Sequence, residues 1–415
     1  MKEIHLFIIW ENARYKETEL MDIIQNNFTI IQKRYITWSK NSFSNNLSRF
    51  YGTKLPNRSA KEQHIGNGEF VLVIVEDKHP QYDFRETSSG NKLVNTNMFD
   101  IKETLRALTG GGHKIHGTIS LKETNHDLTL LIGKNIDDFL SNNIEKVIKE
   151  ERNLEGEDGW KSVEQMFYVL NNCTEYVIMR NYESLPEELY VTEHNDIDVL
   201  CENKIECQYI LNVVPVFKES YRVHYYTLLE DEKKVFFDLR YVGDNYYCEN
   251  LEQDMLKNKE YNSKGFYVLN SEYYYYTLLY HAYIQKPKFK KDYQIRLKKM
   301  KNNDVCDQSI VVDILEKWLF NNSYYVSYPF DKSVYFNEKH VSNFSIKVYQ
   351  PNTTIKLLEK YYSDIIEENN NKIFSYEKEN KRLMEENINL KSTIHKIMNS
   401  KRMKLFKILD EIRGR

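Results

Sequence analysis

With 415 residues the chain exceeds the length of one ordinary hydrophobic core, so two or three domains are expected. A net charge of −3 and a pI near 6.5 argue against a protein whose whole surface binds nucleic acid. Five cysteines without a CxxC pair are typical of reduced thiols, and no run approaches the ~20 apolar residues of a membrane span, so a cytoplasmic protein is expected.

Strand and helix patterns alternate along the N-terminal part of the chain. Apolar runs such as FVLVIVE indicate buried strands, and segments with apolar positions at helical spacing lie between them. Strands are predicted at 3–10, 28–38 and 70–76, and helices at 15–26 and 99–108. This order predicts an α/β ferredoxin-like domain over residues 1–148. The acidic run KEERNLEGEDG, residues 149–159, lacks apolar periodicity and is predicted to be a linker.

A second α/β domain is predicted over residues 160–355. Its strands are expected near 176–180, 196–202, 208–214 and 235–240. The run SEYYYYTLLYHAYIQKP is predicted to be a buried helix that begins at the cap residue Ser271 and ends before Pro287. The two domains together predict an α+β chain with a mixed sheet and helices in its central part.

Heptads begin in the C-terminal part of the chain, and a coiled coil is predicted over residues 356–400. Residues at positions a and d recur every seven residues: Ile373, Asn380, Asn387 and Ile394, and Tyr376, Leu383, Leu390 and Ile397. Asparagine at two a positions favours a parallel pair of helices, so a homodimer through residues 366–400 is expected. The alternative is one amphipathic helix folded back on the rest of the chain.

The last fifteen residues, KRMKLFKILDEIRGR at 401–415, carry six basic and two acidic side chains. A basic amphipathic helix can lie on an anionic membrane surface, which predicts peripheral contact with the inner face of the membrane. A solvated helix tip is the alternative interpretation.

Two aspartates, Asp196 and Asp198, interrupt the apolar run of EHNDIDVL, and a third, Asp238, lies inside VFFDLRYVG. Side chains two apart on a strand share a face, and like charges placed so close repel unless a proton or cation lies between them. Carboxylate oxygens are the ligands that Mg²⁺ prefers. The three residues are therefore predicted to hold Mg²⁺ or Mn²⁺. The alternative is that Asp196 and Asp198 are strand-end residues facing solvent and that Asp238 is paired to Arg240 or another cation.

The pair of aspartates followed by a third carboxylate resembles the nucleotidyltransferase superfamily over about residues 160–300. That resemblance implies catalysis at Asp196, Asp198 and Asp238 on a nucleotide such as ATP or CTP, or on a nucleotide-linked donor. The family has a Gly-Gly or Gly-Ser turn before the pair, where this chain has Arg180 and Asn181. Arg180 is expected to bind phosphate in place of that turn.

The run TGGGHKIHGT, residues 109–118, resembles the Asn-x-x-His-Gly-Ser-Asp motif of nucleoside diphosphate kinases. The resemblance covers about residues 3–140 and implies that His116 accepts a phosphoryl group, with Asp127 orienting its ring. Phosphates require cationic partners, for which Lys102, Arg106 and Lys114 are candidates. The sequence departs from the family at four positions: His113 replaces the asparagine, Ile119 the aspartate, and Trp10 and Glu11 occupy the place of a phosphate-binding lysine.

A basic run follows the tyrosine-rich helix. Its eight members are Lys286, Lys288, Lys290, Lys291, Arg296, Lys298, Lys299 and Lys301. They are interpreted as either counter-charges for phosphate or a solvated helix face. Binding of single-stranded nucleic acid is not expected, because the positive charge does not extend more widely.

The leading hypothesis is a Mg²⁺-dependent nucleotidyl- or phospho-substituent transferase that acts on a sugar or polyol acceptor in bacterial surface polysaccharide biosynthesis. The acceptor class rests on a looser resemblance of the C-terminal segment to bacterial sugar-transfer proteins. The alternatives are a divergent nucleoside diphosphate kinase-like phosphotransferase that uses His116, a non-catalytic nucleotide-binding scaffold, and a toxin or antitoxin.

Overall fold

The computed structural model describes residues 2–87, 90–141, 144–183, 185–187, 189, 196–219, 221–301, 308–344 and 351–398, and residues 409, 412 and 414. Residues 191–195, which precede the first aspartate of the pair, and most of the predicted tail at 401–415 lie outside the described residues. Residue contacts divide the chain into two units, Met1–Tyr349 and Gln350–Arg415.

The chain is a mixed α/β protein. Its strands are β1 Glu3–Ile9, β2 Thr29–Thr37, β3 Phe70–Asp77, β4 Tyr82–Thr87, β5 Gly90–Asn95, β6 Ile115–Gly117, β7 Val147–Glu151, β8 Tyr176–Arg180, β9 Asp196–Cys201, β10 Val214–Pro215, β11 His224–Leu228, β12 Lys234–Tyr241, β13 Lys259–Tyr261 and β14 Tyr267–Leu269. Its helices are α1 Glu17–Asn27, α2 Phe43–Phe50, α3 Ala60–Ile65, α4 Thr96–Leu108, α5 Leu121–Ile132, α6 Ile136–Leu140, α7 Val163–Cys173, α8 Lys204–Leu211, α9 Glu249–Lys257, α10 Ser271–Ile284, α11 Lys291–Met300, α12 Gln308–Asn321, α13 Glu338–Val341 and α14 Pro351–Met398.

The first sheet has the strand order β6-β1-β3-β2-β7. Its strands pair antiparallel except for β2 and β7, which run parallel. Along β1, Leu6 and Ile8 belong to one hydrophobic cluster, and Phe7 and Ile9 to another on the opposite face. This strand is apolar at successive positions because helices cover both of its faces.

The second sheet has the strand order β10-β11-β12-β9-β8-β14-β13. Its central strand β9 runs parallel to β12 and antiparallel to β8. Ile197 and Val199 of β9 join the cluster that continues to the first sheet, whereas Leu200 joins the cluster formed with α9, α10 and α12. The two aspartates of β9 share the face of Leu200 because side chains alternate along a strand.

One continuous core joins the two sheets within the first unit. Helix α5 packs against β1 and against α7, and α7 packs against α8. The fully buried Arg49 on α2 donates to the carbonyl oxygens of Glu155, Tyr209 and Ile210 at 2.6, 3.0 and 3.1 Å. These hydrogen bonds hold the segment that follows β7 close to α8.

Three sequence predictions differ from the structure. Residues 149–151 of the predicted linker are the end of β7, and Leu154 is buried in the shared core. The strand predicted at 208–214 is instead largely α8, because Asn203 caps it and its apolar residues fall at helical spacing. Helix α10 is capped by Asn270, whose side chain accepts from Tyr273 N at 3.0 Å, so Ser271 lies inside the helix.

Helix α14 is a single helix of 48 residues in the second unit. The predicted seam residues are exposed: Ile373, Tyr376, Leu383, Leu390, Ile394 and Ile397. None of the described helices is both long and apolar enough to span a membrane. The coiled-coil partner of this helix stays a prediction.

Candidate functional site

The three predicted acidic residues converge on one face of the second sheet. Asp198 on β9 lies directly opposite Asp238 on the parallel strand β12, and Asp196 lies two residues before Asp198. One carboxylate oxygen from each residue lies within 4.8 Å of the other two. The three carboxylates therefore lie close together, and their role as metal ligands stays a prediction.

A β-bulge brings Arg180 to the same site. The register of β8 against β9 shifts between Ile178 and Arg180, which places Arg180 opposite Asp198. Its Nη2 donates to Asp198 Oδ1 at 2.5 Å. Arg180 is only 8% exposed, and among the described residues its Nη1 has no hydrogen-bond partner.

Burial dominates the electrostatics of this acidic site. Burial raises the pKa of Asp198 to about 6, against the opposing effect of Arg180 and with the help of Asp238 and Asp196. Burial likewise raises the pKa of Asp238, and Arg240 and His224 oppose that rise. Carboxylates that are this costly to ionise are stabilised by an added cation.

Asp196 and Asp238 keep acceptor capacity for such a cation. Asp196 is half-buried, and no ion pair to it occurs within the described part of the chain. His224 Nε2 lies 3.1 Å from Asp238 Oδ1, but this buried oxygen accepts no hydrogen bond from any described residue. Together with Asp198, these two carboxylates are a donor set suited to hard cations, so the residues present fit Mg²⁺ or Mn²⁺.

Polar and basic residues surround the acidic site. Asn181 has a left-handed φ of 59° and accepts from Arg296 Nη1 at 2.9 Å. Its Nδ2 lies 3.5 Å from Asp198 Oδ2, at the outer limit of a hydrogen bond. Burial lowers the pKa of Lys286, and the charges of Arg180 and Asp198 also act on that pKa. Lys286 and Arg296 of the basic run therefore lie beside this site, and Arg296 shares its charge with Glu183 at 3.0 Å.

His116 and Asp127 form a second cluster in the first sheet. His116 lies on β6 opposite Ile8, and its Nε2 is 2.6 Å from Asp127 Oδ2 on α5. Burial pushes the pKa of Asp127 up, but His116 and His126 outweigh it and hold the pKa below its usual value. Within the described residues His116 Nδ1 has no hydrogen-bond partner, so this nitrogen is available for chemistry.

The glycine that follows His116 is required by close packing. A Cβ atom on Gly117 would lie 2.8 Å from Phe7 Cδ1 and 3.4 Å from Lys102 Cδ. A side chain at this position would therefore push β6 away from β1 or displace Lys102.

His116 opens on a cleft of about 1060 Å³. The candidate cations Lys102 and Arg106 line it, and so does Lys61 of α3. Lys102 is 8% exposed, and no described acidic group forms an ion pair with it. The prediction for Lys114 is not supported, because its Nζ donates instead to Thr109 O at 3.0 Å and closes the glycine turn.

Lys61 was not among the site residues predicted from the sequence. Its Nζ lies 2.9 Å from the centre of the Tyr51 ring, and burial, followed by the charge of Arg106, lowers its pKa to about 8. Lys61 is 55 residues from His116 along the chain, so no local pattern links them. His126, which also contacts Asp127 at 2.9 Å, lay within reach of the motif and was likewise missed.

The two residues that take the place of the phosphate-binding lysine of nucleoside diphosphate kinases have structural roles. Trp10 is buried against Trp38 and Phe70 in the shared core. Glu11 accepts from the backbone N–H groups of Asn67 and Gly68 at 2.7 and 2.6 Å. Neither lines the cleft.

Fold and sites define a mixed α/β protein with an acidic cluster on one sheet and a histidine–aspartate pair on the other. Comparison with protein-family models finds no match for the chain, and comparison with curated proteins finds none either.

Proposed function

We propose that the protein is a Mg²⁺- or Mn²⁺-dependent transferase of nucleotidyl or phospho-substituent groups, similar to nucleotidyltransferases. The observation that carries this proposal is the convergence of Asp196, Asp198 and Asp238 from neighbouring parallel strands, with oxygens within 4.8 Å of one another. Structural ion-pair networks pair each buried carboxylate with its own cation, whereas here Asp198 has Arg180, Asp238 has only His224 Nε2 at 3.1 Å, and Asp196 has no ion pair among the described residues.

The residues of the site have separable tasks in this proposal. Asp196, Asp198 and Asp238 would hold the cation, which supplies Lewis-acid neutralisation of phosphate charge when it is bound. Arg180 presents Nη1 to a phosphate oxygen, and Lys286 and Arg296 add positive charge at the rim. The buried floor of the site keeps water from weakening these interactions.

The donor and acceptor follow from resemblance alone. A nucleotide such as ATP or CTP, or a nucleotide-linked donor, suits the charges of the site. A sugar or polyol acceptor in bacterial surface polysaccharide biosynthesis rests on the resemblance of the C-terminal segment to sugar-transfer proteins. Contact of residues 401–415 with the inner membrane face rests on their basic amphipathic pattern.

A thermal-shift screen of the full chain tests the binding step. ATP, CTP and nucleotide-sugars are expected to raise the melting temperature in Mg²⁺ and to have little effect in EDTA, since a ligand at ~100 times its Kd stabilises by roughly 2.7 kcal/mol. An equal rise with and without Mg²⁺ would favour the non-catalytic scaffold. No rise with any nucleotide would contradict the proposal.

A second candidate function is phosphoryl transfer through His116. It is favoured by the 2.6 Å contact that leaves Nδ1 free, within a cleft lined by Lys61, Lys102 and Arg106. The strand order β6-β1-β3-β2, with α1 and α4 as the intervening helices, supports a ferredoxin-like arrangement similar to that of nucleoside diphosphate kinases. The cleft does not contain the phosphate-binding lysine of nucleoside diphosphate kinases, because Trp10 and Glu11 occupy its place in this chain.

We also propose that residues 366–400 of α14 form a parallel homodimer. The support is the exposed heptad seam, in which Leu383 is 46% and Leu390 61% exposed. Sedimentation should give twice the chain mass, and the double substitution Leu383→Asp with Leu390→Asp should give the monomer mass. A wild-type chain that sediments as a monomer would contradict the dimer.

A further inference from the structure

Arg180 already occupies the position of a counter-ion in the acidic site. Its guanidinium contacts Asp198 at 2.5 Å and offsets one of the three carboxylates that converge there. Asp198 is the central member of the group, since it faces Asp238 across the sheet and shares a strand face with Asp196. A divalent cation that reaches Asp198 therefore competes with the guanidinium for the same oxygen.

The guanidinium is only partly satisfied: it contacts Asp198 and lies 5.6 Å from the centre of the Tyr246 ring, but one of its nitrogens has no hydrogen-bond partner among the described residues. Nη2 makes the contact with Asp198, whereas the buried Nη1 has no partner in the described part of the chain. An arginine that is more than nine-tenths buried with an unpaired N–H group indicates a missing acceptor. A phosphate oxygen is the acceptor whose geometry suits a guanidinium, which can donate two parallel hydrogen bonds.

We propose that Arg180 is the resident counter-ion of the acidic site, and that it exchanges Asp198 for a substrate phosphate when a divalent cation binds. This inference rests on the proposed function. In both states the guanidinium offsets one negative group: without ligands it neutralises Asp198, and with metal and phosphate it neutralises charge on the incoming anion. Metal and phosphate then assist each other's binding, because each relieves a cost imposed by the other.

Binding of Mn²⁺ alone, measured by electron paramagnetic resonance on the full chain, tests the first half of the exchange. At about pH 8, where carboxylates are ionised, Arg180→Met is expected to bind Mn²⁺ at least about 10-fold more tightly than wild type, because the competing charge is gone. Arg180→Gln, which is neutral but can still donate to Asp198, should show the same gain if the methionine variant fails to fold. Arg14→Met, which removes a half-buried arginine paired to Glu17 and Glu69 away from the acidic site, is the matched control and should leave the affinity unchanged.

Binding of inorganic pyrophosphate in excess Mg²⁺ tests the second half. The affinity of the neutral variants for pyrophosphate should fall at least about 10-fold, since a charge-assisted hydrogen bond is lost. Mn²⁺ should also raise the melting temperature of Arg180→Met more than that of wild type, because it neutralises a carboxylate left without its partner.

The outcomes separate the inference from the proposed function. Equal Mn²⁺ affinity in wild type and both neutral variants, or unchanged pyrophosphate affinity, would overturn the exchange and leave the metal site in place. Mn²⁺ binding that is absent from every variant, or that persists in Asp196→Asn, would overturn the metal site itself.

Discussion

Replacing Asp196 with asparagine is expected to lower Mg²⁺-dependent nucleotide turnover by at least about 10²-fold, because a metal ligand contributes several kcal/mol of transition-state stabilisation. The amide keeps the size of the side chain but removes its charge. Release of pyrophosphate or transfer of labelled nucleotide at saturating Mg²⁺ would measure the loss. The Kd for Mn²⁺ should rise in parallel.

Substitution of Asp196 tests the metal site more directly than substitution of Asp198. Substitution of Asp198 leaves the buried guanidinium of Arg180 without its partner, and removing one member of a buried pair destabilises the fold. Asp196 is half-buried and makes no ion pair with any described residue. The free energy of unfolding of Asp196→Asn should therefore lie within about 0.5 kcal/mol of the wild-type value. Asp231→Asn, at an exposed position between β11 and β12, is the control and should retain full turnover. Undiminished turnover in Asp196→Asn would refute the metal site.

The second large effect concerns His116. If the candidate phosphotransfer occurs, the chain takes up acid-labile label from γ-labelled ATP, and His116→Ala takes up none. Asp127→Asn should slow labelling by at least about 10²-fold, since the carboxylate that fixes the ring through Nε2 becomes an amide. His79→Ala, at an exposed position after β3, is the control. Absence of label from the wild-type chain would dismiss this function.

The affinity of the His116 cleft for nucleotide should also depend on pH, through the charge of Lys61. Its pKa of about 8 lies below the ordinary lysine value, so the amine is charged below pH 8 and loses its proton as the pH rises through 8. A charged amine attracts phosphate and a neutral one does not, so nucleotide affinity in the cleft should decrease as the pH rises from about 7 to about 9. Lys61→Met should bind more weakly and lose this dependence. A wild-type affinity that is constant across the range would remove Lys61 from the site.

Two of the buried strands were predictable because their signal is local, whereas β6, the three-residue strand that carries His116, was not predicted. FVLVIVE and DIDVLC are apolar enough to be buried whatever surrounds them, and the spacing of Asp196 and Asp198 places both on one face of any strand. Strand β8 was predicted with the bounds that it has in the structure. The bulge that turns Arg180 toward Asp198 arises from pairing between strands, and the pattern of β8 alone does not reveal it.

Prediction from the sequence was limited by short apolar runs and by contacts between residues that are far apart in the chain. The run CQYILNV fits strand and helix equally well by composition, and the cap at Asn203 and packing of α8 against α7 favour the helix. Lys61 reaches His116 only because α3 and β6 meet across one cleft, and Arg49 crosses from α2 to α8.

The amino-acid sequence by itself determined the α/β class, the three central strands of each of the two large sheets, and the residue types able to bind a cation or accept a phosphoryl group. Only the tertiary structure decided that both sheets share one core, that Lys114 serves a turn rather than a ligand, and that Arg180 neutralises Asp198. The physical reason is range: periodicity and capping act over a few residues, whereas ion pairs and core packing join residues that the chain separates by tens of positions.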